Sequence, residues 1–371
     1  MTPPAPRHVF MTADTVGGVW TYALDLAEAF ASRGVRTTLA VLGPGPGPGQ
    51  KRAAAAIAGL RLIETGLPLD WMASDPADLA AAGRRLALMA GESGADIVHL
   101  NSPALAAAER FEQPVVGACH SCLATWWDAV RGGDLPSDFA WKTELLAAGY
   151  AACDALIAPS YAFMQATAAR YRIVPHMVRN GRAAPRQSAA SGKSPFALAS
   201  GRFWDDAKNV HALDAAASRM TGSRVYAAGP LSHGDAEPVA LDSVIALGSV
   251  APDALAGWLA RAAVFVSFAL YEPFGLGVLE AAQAGCALVL SDIPTHRELW
   301  EGAALFIDPA DADAAAGVLD RLLAAPAEAA RLGALAERRS RDFTAEAMAE
   351  GALAIYRRLL ADHAALTEAA A

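Results

Sequence analysis

Short apolar runs alternate with alanine-rich helical stretches, and this alternation restricts the fold of the chain more than any other feature. The first half contains the runs HVFMTA (8–13), TTLAVLG (37–43), DIVHLN (96–101), PVVGACH (114–120) and ALIAPS (155–160), with a weaker run, RIVPHMVRN (172–180), at its end. Val19 to Ser32 and Asp78 to Ala90 are typical of the helices between them. Strands that alternate with helices predict parallel sheets built from right-handed βαβ units.

The second half repeats the pattern and predicts a second domain. Its strand-like runs are FALASGR (196–202), SRVYAAG (223–229), SVIALG (243–248), AVFVSFAL (263–270) and ALVLSD (287–292). A length of 371 residues also favours about two domains. The glycine-, alanine-, serine- and proline-rich stretch from Gly181 to Pro195 is the predicted linker. The segment GPGPGPGQ (43–50) reads as a mobile loop without regular structure.

Charge and composition exclude several classes of protein. The net charge of −9 argues against a nucleic-acid-binding protein or one that binds anionic membranes. No apolar run reaches the roughly 18 residues that a transmembrane helix needs. The first residues show no signal peptide. The four cysteines are therefore expected to be reduced, and the expected location is the cytoplasm.

The stretch EPFGLGVLE, which follows the run at 263–270, has the composition of a ligand site. In open α/β sheets, ligands bind beyond the carboxyl ends of the strands. Gly275 and Gly277 would let the backbone approach a ligand, and a helix beginning near Leu276 would direct free N–H groups at an anion such as phosphate. Glu272 and Glu280 are better acceptors for hydroxyl groups than ligands for phosphate. This pattern predicts a phosphorylated compound that carries sugars, although a plain turn with solvated glutamates would also fit.

Two further segments follow strand-like runs and could contact a diphosphate. ASGRFWDDAKN places Arg202 and Lys208 around an acidic turn, where two cations could neutralise a diphosphate without a metal; solvated surface cations are the alternative. Gly17 and Gly18 follow the first run and precede a helix, as in a close-approach loop or an ordinary βα turn. The dinucleotide fingerprint GxGxxG is absent there.

With these segments in order, the chain resembles a known family. Tyr271 to Leu290 resembles the E-x7-E signature of the retaining family-4 glycosyltransferases (glycosyl transferases group 1), which have the GT-B fold. The resemblance extends over nearly the whole chain, in GGVWTYALDLAEAFASRG, ADIVHLNSP, GACHS, VRNGR, GRFWDDAKN, DIPTHRELWEGAALFIDPAD and FTAEAMAEGALAIYRRLL. It implies two doubly wound, Rossmann-like domains that face each other across a cleft. The acceptor-side domain would span 1–183, completed by a C-terminal helix (345–371) that crosses back to it, and the nucleotide-sugar-binding domain 195–344.

The resemblance also implies roles for individual residues. Glu280 would bind the ribose hydroxyls and Glu272 the hydroxyls of the transferred sugar. Arg202 and Lys208 would stabilise the leaving diphosphate. The remaining implied site residues are His120 near the donor sugar, Gly17 and Gly18 at the diphosphate, the backbone of Phe274, Gly275, Leu276 and Gly277 at the sugar and phosphates, and Leu247 and Val250 at the base. For a lone histidine after a strand, a structural role is the alternative.

The implied reaction is sugar transfer with retention at the anomeric carbon, by a front-face mechanism that needs no metal and no cofactor. The donor would be a nucleotide sugar, with UDP favoured and GDP possible, and the acceptor a soluble molecule. Two alternatives stay open, a nucleotide-sugar epimerase of the same architecture and a binding protein that has lost catalysis. A phosphorylase is disfavoured because none of the four lysines lies in a setting that suggests a Schiff base. A redox or zinc role for the C-x-x-C of Cys119 and Cys122 is disfavoured, because the sequence has no second pair and Cys153 and Cys286 are remote.

Overall fold

The computed structural model describes residues 5–183, 192–234 and 236–370. The chain divides into two compact units, one formed by Met1–Gly181 with Ala345–Ala371 and the other by Arg182–Thr344. The first unit thus ends at Gly181 rather than at residue 183, because the Arg182 N–H donates to the carbonyl of Phe343 at 3.1 Å. Most of the predicted linker, residues 184–191, lies outside the described residues.

The first unit contains a parallel sheet in the order β3-β2-β1-β4-β5-β6-β7. Its strands are β1 His8–Asp14, β2 Arg36–Leu42, β3 Leu60–Glu64, β4 Ile97–Leu100, β5 Val115–Ala118, β6 Ala155–Ala158 and β7 His176–Met177. Its helices up to the boundary are α1 Gly18–Ala31, α2 Pro48–Ala55, α3 Pro76–Ser93, α4 Leu123–Val130, α5 Ser137–Ala152 and α6 Tyr161–Tyr171. This strand order is that of a doubly wound sheet.

The second unit repeats the arrangement, with a parallel sheet in the order β10-β9-β8-β11-β12-β13. Its strands are β8 Ser194–Ser200, β9 Arg224–Ala228, β10 Ile245–Gly248, β11 Ala262–Ser267, β12 Ala287–Ser291 and β13 Ala304–Ile307. Its helices are α7 Val210–Ala217, α8 Pro252–Arg261, α9 Leu276–Gln283, α10 Pro294–Trp300, α11 Ala312–Ala324 and α12 Pro326–Ser340. The last helix of the chain, α13 Ala345–Ala370, belongs to the first unit.

Helices cover both faces of each sheet, which is why the strands read as continuous apolar runs rather than as alternating patterns. β1 is buried along its whole length, and so is β12. On one face of the first sheet, Phe30 of α1 packs against Tyr356 of α13 with ring centroids 5.9 Å apart. The prediction that the C-terminal helix returns to the first domain is confirmed.

Three local predictions differ from the structure. The segment 43–50 is not irregular throughout, because α2 begins at Pro48: proline suits the first turn of a helix, and the Gln50 side chain accepts the Gly47 N–H at 2.9 Å. β3 was not predicted, since Leu60–Glu64 mixes apolar and charged residues at the edge of the sheet. The run at 172–180 forms only the two-residue strand β7. Across the described residues, no helix has the length and apolarity to cross a membrane.

Candidate active site

Each sheet has one point where the winding reverses, between β1 and β4 in the first unit and between β8 and β11 in the second. Ligands of doubly wound sheets bind beyond the carboxyl ends of the strands at such a point. In the second unit, the segments that follow β8 and β11 contain Arg202, Lys208 and Glu272. The topology therefore brings these three predicted residues to one edge of one sheet.

Helix α9 begins at Leu276, as predicted, and Gly275 makes this start possible. Gly275 adopts a left-handed conformation with φ of +91°. A Cβ atom there would lie 3.3 Å from Cγ of Glu272 and 3.2 Å from Cγ2 of Val278, so both strain and crowding oppose a side chain. Gly275 offers no side-chain cap to α9, and uncapped N–H groups at a helix N-terminus can bind an anion.

Other residues of this stretch make packing contacts within the second unit. A Cβ atom on Gly277 would lie 2.8 Å from Oγ of Ser200, so this glycine lets α9 pack against the end of β8. The Phe274 ring is buried and meets Phe343 edge-on at 5.7 Å. Leu276 packs against the same apolar cluster. Contact of their backbone atoms with a ligand stays a prediction.

Lys208 and Glu272 form an ion pair at the site, with 2.6 Å between Nζ and Oε2. Lys208 is the last residue of a short 3-10 turn. This turn comes before α7, so Lys208 is not part of that helix. Asp205 caps this turn by accepting the Ala207 N–H at 3.0 Å. The Ala207 carbonyl in turn accepts the Leu270 N–H at 2.8 Å, which ties the turn to the loop that carries Glu272.

Positive charge surrounds the Glu272 carboxylate. Burial alone would raise the pKa of Glu272, but Lys208, with a smaller contribution from Arg202, holds the pKa below its usual value. The Arg202 guanidinium itself lies 3.5 Å from Asp205 and 5.4 Å from the ring centre of Trp204. Glu272 is thus ionised near neutral pH and accepts hydrogen bonds without donating them.

The sequence leaves His296 open between a surface turn and a contact with the nucleotide, and the structure places it in α10, near Glu272. Its ring is fully buried, and Nδ1 lies 3.0 Å from the Ser291 carbonyl oxygen. A carbonyl oxygen only accepts, so Nδ1 carries the proton. Burial lowers the pKa of His296, which keeps the ring neutral. This burial rules out the surface-turn interpretation of His296.

Glu280, the predicted ribose ligand, forms an ion pair with Arg182. The two side chains are 23% and 26% exposed, so both remain accessible. Sequence reasoning did not connect them, because Arg182 lies far back along the chain and on the predicted linker. Leu247 and Val250 lie at the end of β10 and just after it, and they pack against the apolar cluster that contains Val278.

In the first unit, the predicted residues lie at the ends of neighbouring elements. Gly17 is the N-cap of α1 in an extended conformation, and Gly18 is the first residue of that helix. His120 follows β5, with its Nε2 atom 2.7 Å from Oδ1 of Asn101 and its ring edge-on to Tyr22 at 4.5 Å. Burial, and then the neighbouring His99, lower the pKa of His120 to about 3, so the ring is neutral near pH 7.

The C-x-x-C pair has structural contacts. Cys119 and Cys122 are buried free thiols. The sulfur of Cys122 accepts the Thr125 N–H at the start of α4 and the Tyr171 hydroxyl at 3.2 Å. Within residues 5–183, 192–234 and 236–370, no three His, Cys, Asp or Glu side chains are grouped as a metal site.

Two family models match the chain. A model described as Glycosyltransferase Family 4 matches residues 16–182, and one described as Glycosyl transferases group 1 matches residues 194–325. The chain belongs to the family-4, group 1 glycosyltransferases. It has the GT-B fold of that family, as predicted. No curated protein matches this glycosyltransferase significantly.

Three solved structures illustrate the similarity in fold. Sucrose-phosphate synthase from Thermosynechococcus elongatus matches with a TM-score of 0.79 and 19% identity, over 96% of this chain and 100% of that one. Anabaena Alr3699/HepE, in complex with UDP and glucose, matches with a TM-score of 0.71 and 16% identity, over 93% and 97%. A glycosyltransferase from Rickettsia africae matches with a TM-score of 0.70 and 14% identity, over 95% and 98%.

Proposed function

We propose that this glycosyltransferase moves a sugar from a nucleoside diphosphate sugar to a soluble acceptor hydroxyl, with retention of the anomeric configuration and without a metal ion or cofactor. The observation that carries the proposal is the Lys208–Glu272 pair beside the N-terminus of α9. It combines a hydroxyl acceptor with a cation and free backbone N–H groups. These three kinds of group side by side can bind a sugar joined to a diphosphate.

The proposed chemistry depends on charge that grows as the glycosidic bond breaks. Negative charge accumulates on the departing phosphate, where Lys208, Arg202 and the first N–H groups of α9 would stabilise it. Glu272 would hold the sugar hydroxyls meanwhile. No carboxylate of the site is assigned as a nucleophile, so the leaving phosphate would itself help to deprotonate the acceptor on the front face.

The proposed donor carries UDP. Glu280 would accept from the ribose hydroxyls, and Leu247 and Val250 would border the base. HepE, which has the same fold, was solved with UDP and with UDP-glucose, and this supports uridine over other bases. The four free cysteines suit a reducing compartment, and the proposed location is the cytoplasm.

A thermal-shift panel of UDP, GDP, ADP and dTDP tests the donor, because a ligand that binds only the folded state stabilises it by mass action. We expect the largest increase in Tm with UDP. Incubation with UDP-glucose and a set of free and phosphorylated sugars, followed by NMR of the anomeric proton, tests the reaction. An isomerised donor without transfer would indicate the epimerase, and binding without any turnover would indicate a protein that has lost catalysis.

A further inference from the structure

The His120 ring is held by a buried hydrogen-bond network that starts on α13. The Tyr356 hydroxyl lies 2.6 Å from Nδ1 of His99, and Nε2 of His99 lies 3.3 Å from Oδ1 of Asn101. The same Oδ1 atom lies 2.7 Å from Nε2 of His120. Asn101 directly follows β4, and one oxygen of its amide therefore faces two imidazole rings.

Thr12 of β1 fixes the orientation of the Asn101 amide. Nδ2 of Asn101 lies 2.6 Å from the Thr12 carbonyl oxygen, which only accepts, so the amide nitrogen must occupy that side. The Asn101 backbone N–H also donates to Oγ1 of Thr12 at 2.8 Å. Oδ1 consequently points towards the two histidines and can only accept from them.

Because Oδ1 only accepts, the imidazole nitrogen that faces it must carry a proton. His120 is then protonated on Nε2, and in the neutral ring Nδ1 keeps its lone pair. Nδ1 of His120 makes no hydrogen bond to the part of the chain that the structure describes. Nε2 of His99 lies 3.3 Å from the same Oδ1 atom and 3.4 Å from the Tyr22 hydroxyl; with Nε2 as the donor to Asn101, Nδ1 of His99 accepts from the Tyr356 hydroxyl.

We propose that Asn101 is a positioning residue that fixes His120 as the Nε2–H tautomer, so that Nδ1 accepts a hydrogen bond from a substrate hydroxyl. The inference rests on the proposed function, since a sugar donor and its acceptor both present hydroxyl groups. It makes His120 an acceptor rather than a donor in the site. Asn101 acts through His120 and does not touch the substrate.

NMR of the protein labelled with 15N-histidine tests the tautomer directly and requires no activity. In the wild type at pH 7, long-range proton–nitrogen correlations should identify His120 as neutral, with the proton on Nε2. A spectrum of the Nδ1–H tautomer, or of an imidazolium, would overturn the proposal. His120→Gln identifies the signals by their disappearance.

Variants of Asn101 then test the positioning. Asn101→Ala should give His120 a mixture of tautomers and lower kcat about tenfold, the equivalent of one lost hydrogen bond, with KM for the donor changed less than about twofold. Asn101→Asp nearly preserves the shape but attracts a second proton, so His120 should become an imidazolium and kcat should fall as well. The proposal is wrong if Asn101→Ala keeps both the single tautomer and wild-type kcat.

Tyr356→Phe is the matched control within the same network. It removes the hydroxyl that faces His99 and leaves the contact between Asn101 and His120. The His120 tautomer should stay as in the wild type, and a mixture in this variant would mean that the whole network, not Asn101, fixes the ring. The NMR measurement tests the His120 tautomer, and the transfer assay tests the proposed function. A failure of the tautomer proposal is therefore distinguishable from a failure of the proposed function.

Discussion

Nζ of Lys208 lies 2.6 Å from Oε2 of Glu272, which joins a turn after β8 to the loop after β11. The ion pair leaves hydrogen-bonding capacity on both side chains, because an ammonium has three N–H donors and a carboxylate accepts at two oxygens. Lys208 can thus reach a phosphate while Glu272 accepts from hydroxyls. The side chains are 21% and 17% exposed, so a ligand can contact both.

Replacement of Lys208 separates a catalytic cation from a structural one. Under the proposed function, Lys208→Ala should lower single-turnover sugar transfer by about 10²–10³, the usual cost of removing one preorganised group that stabilises the transition state. Donor affinity should change less, because the phosphate gains charge only as the bond breaks. Lys208→Arg should restore activity only in part, since a planar fork does not replace a compact ammonium.

Lys51 provides the matched control for Lys208. It also lies 2.6 Å from a glutamate, Glu64, but both side chains are 48% exposed. Lys51→Ala should leave transfer unchanged and alter the free energy of unfolding by less than about 1 kcal/mol. If Lys208→Ala folds normally and also transfers sugar at the wild-type rate, Lys208 has no part in the site.

Glu280 should contribute to nucleotide affinity. Glu280→Ala removes the proposed acceptor for the ribose hydroxyls, and calorimetry should show UDP binding weakened by roughly 1–3 kcal/mol. Glu301→Ala is the control, because Glu301 also pairs with an arginine, Arg297 at 3.1 Å, on the surface of the same unit. Equal UDP affinity in the wild type and Glu280→Ala would rule out the ribose role.

Transfer should persist in excess chelator. Lys208, Arg202 and the α9 N–H groups are proposed to take the role that a metal ion has in other transferases. The sequence contains one Asp-x-Asp candidate in the second half, and its carboxylates are engaged: Asp311 caps α11 by accepting the Ala314 N–H, and Asp313 lies 2.9 Å from Arg219. Activity that EDTA abolishes and magnesium or manganese restores would contradict this prediction.

The fold and the proximity of Lys208 to Glu272 were predictable from the sequence, because both depend on local patterns. Apolar runs identified most strands, and the start of α9 follows from Gly275. The contacts that could not be predicted join distant segments: Arg182 reaches Glu280, and Asn101 aligns His120. Such pairs depend on tertiary packing. No local sequence pattern around Arg182 or Asn101 predicts which residue it contacts.

Gly277 should tolerate alanine poorly for reasons of packing alone. The added Cβ would lie 2.8 Å from Oγ of Ser200, and such overpacking typically costs 1–3 kcal/mol. Gly317 in α11 is the matched control, since its Cβ would meet nothing within 4 Å. Gly317→Ala should stabilise by roughly 0.5–1 kcal/mol through helix propensity. Urea denaturation of both variants checks the prediction, and similar effects at the two sites would contradict it.

The last prediction concerns Asp70 and the pH dependence of stability. Asp70 lies in a short 3-10 turn of the first unit and accepts the Trp71 N–H at 2.9 Å. Burial raises the pKa of Asp70 from 3.8 to about 6, and the nearby Asp14 adds to the shift. Between these two pKa values the folded state binds more protons than the unfolded state. The contribution of Asp70 to stability is therefore present below pH 3.8 and is lost as pH rises to about 6, by up to about 3 kcal/mol.

Asp70→Asn should remove this loss. Denaturation at pH 4, 5, 6 and 7 would measure the free energy of unfolding of the variant minus that of the wild type. We expect this difference to increase by up to about 3 kcal/mol between pH 4 and pH 7 and then to level off. Burial also lowers the pKa of His99 to about 4, which affects stability with the opposite sign, but that contribution is common to both proteins and cancels. A difference that stays constant from pH 4 to pH 7 would mean that Asp70 ionises in the folded protein as easily as in the unfolded chain.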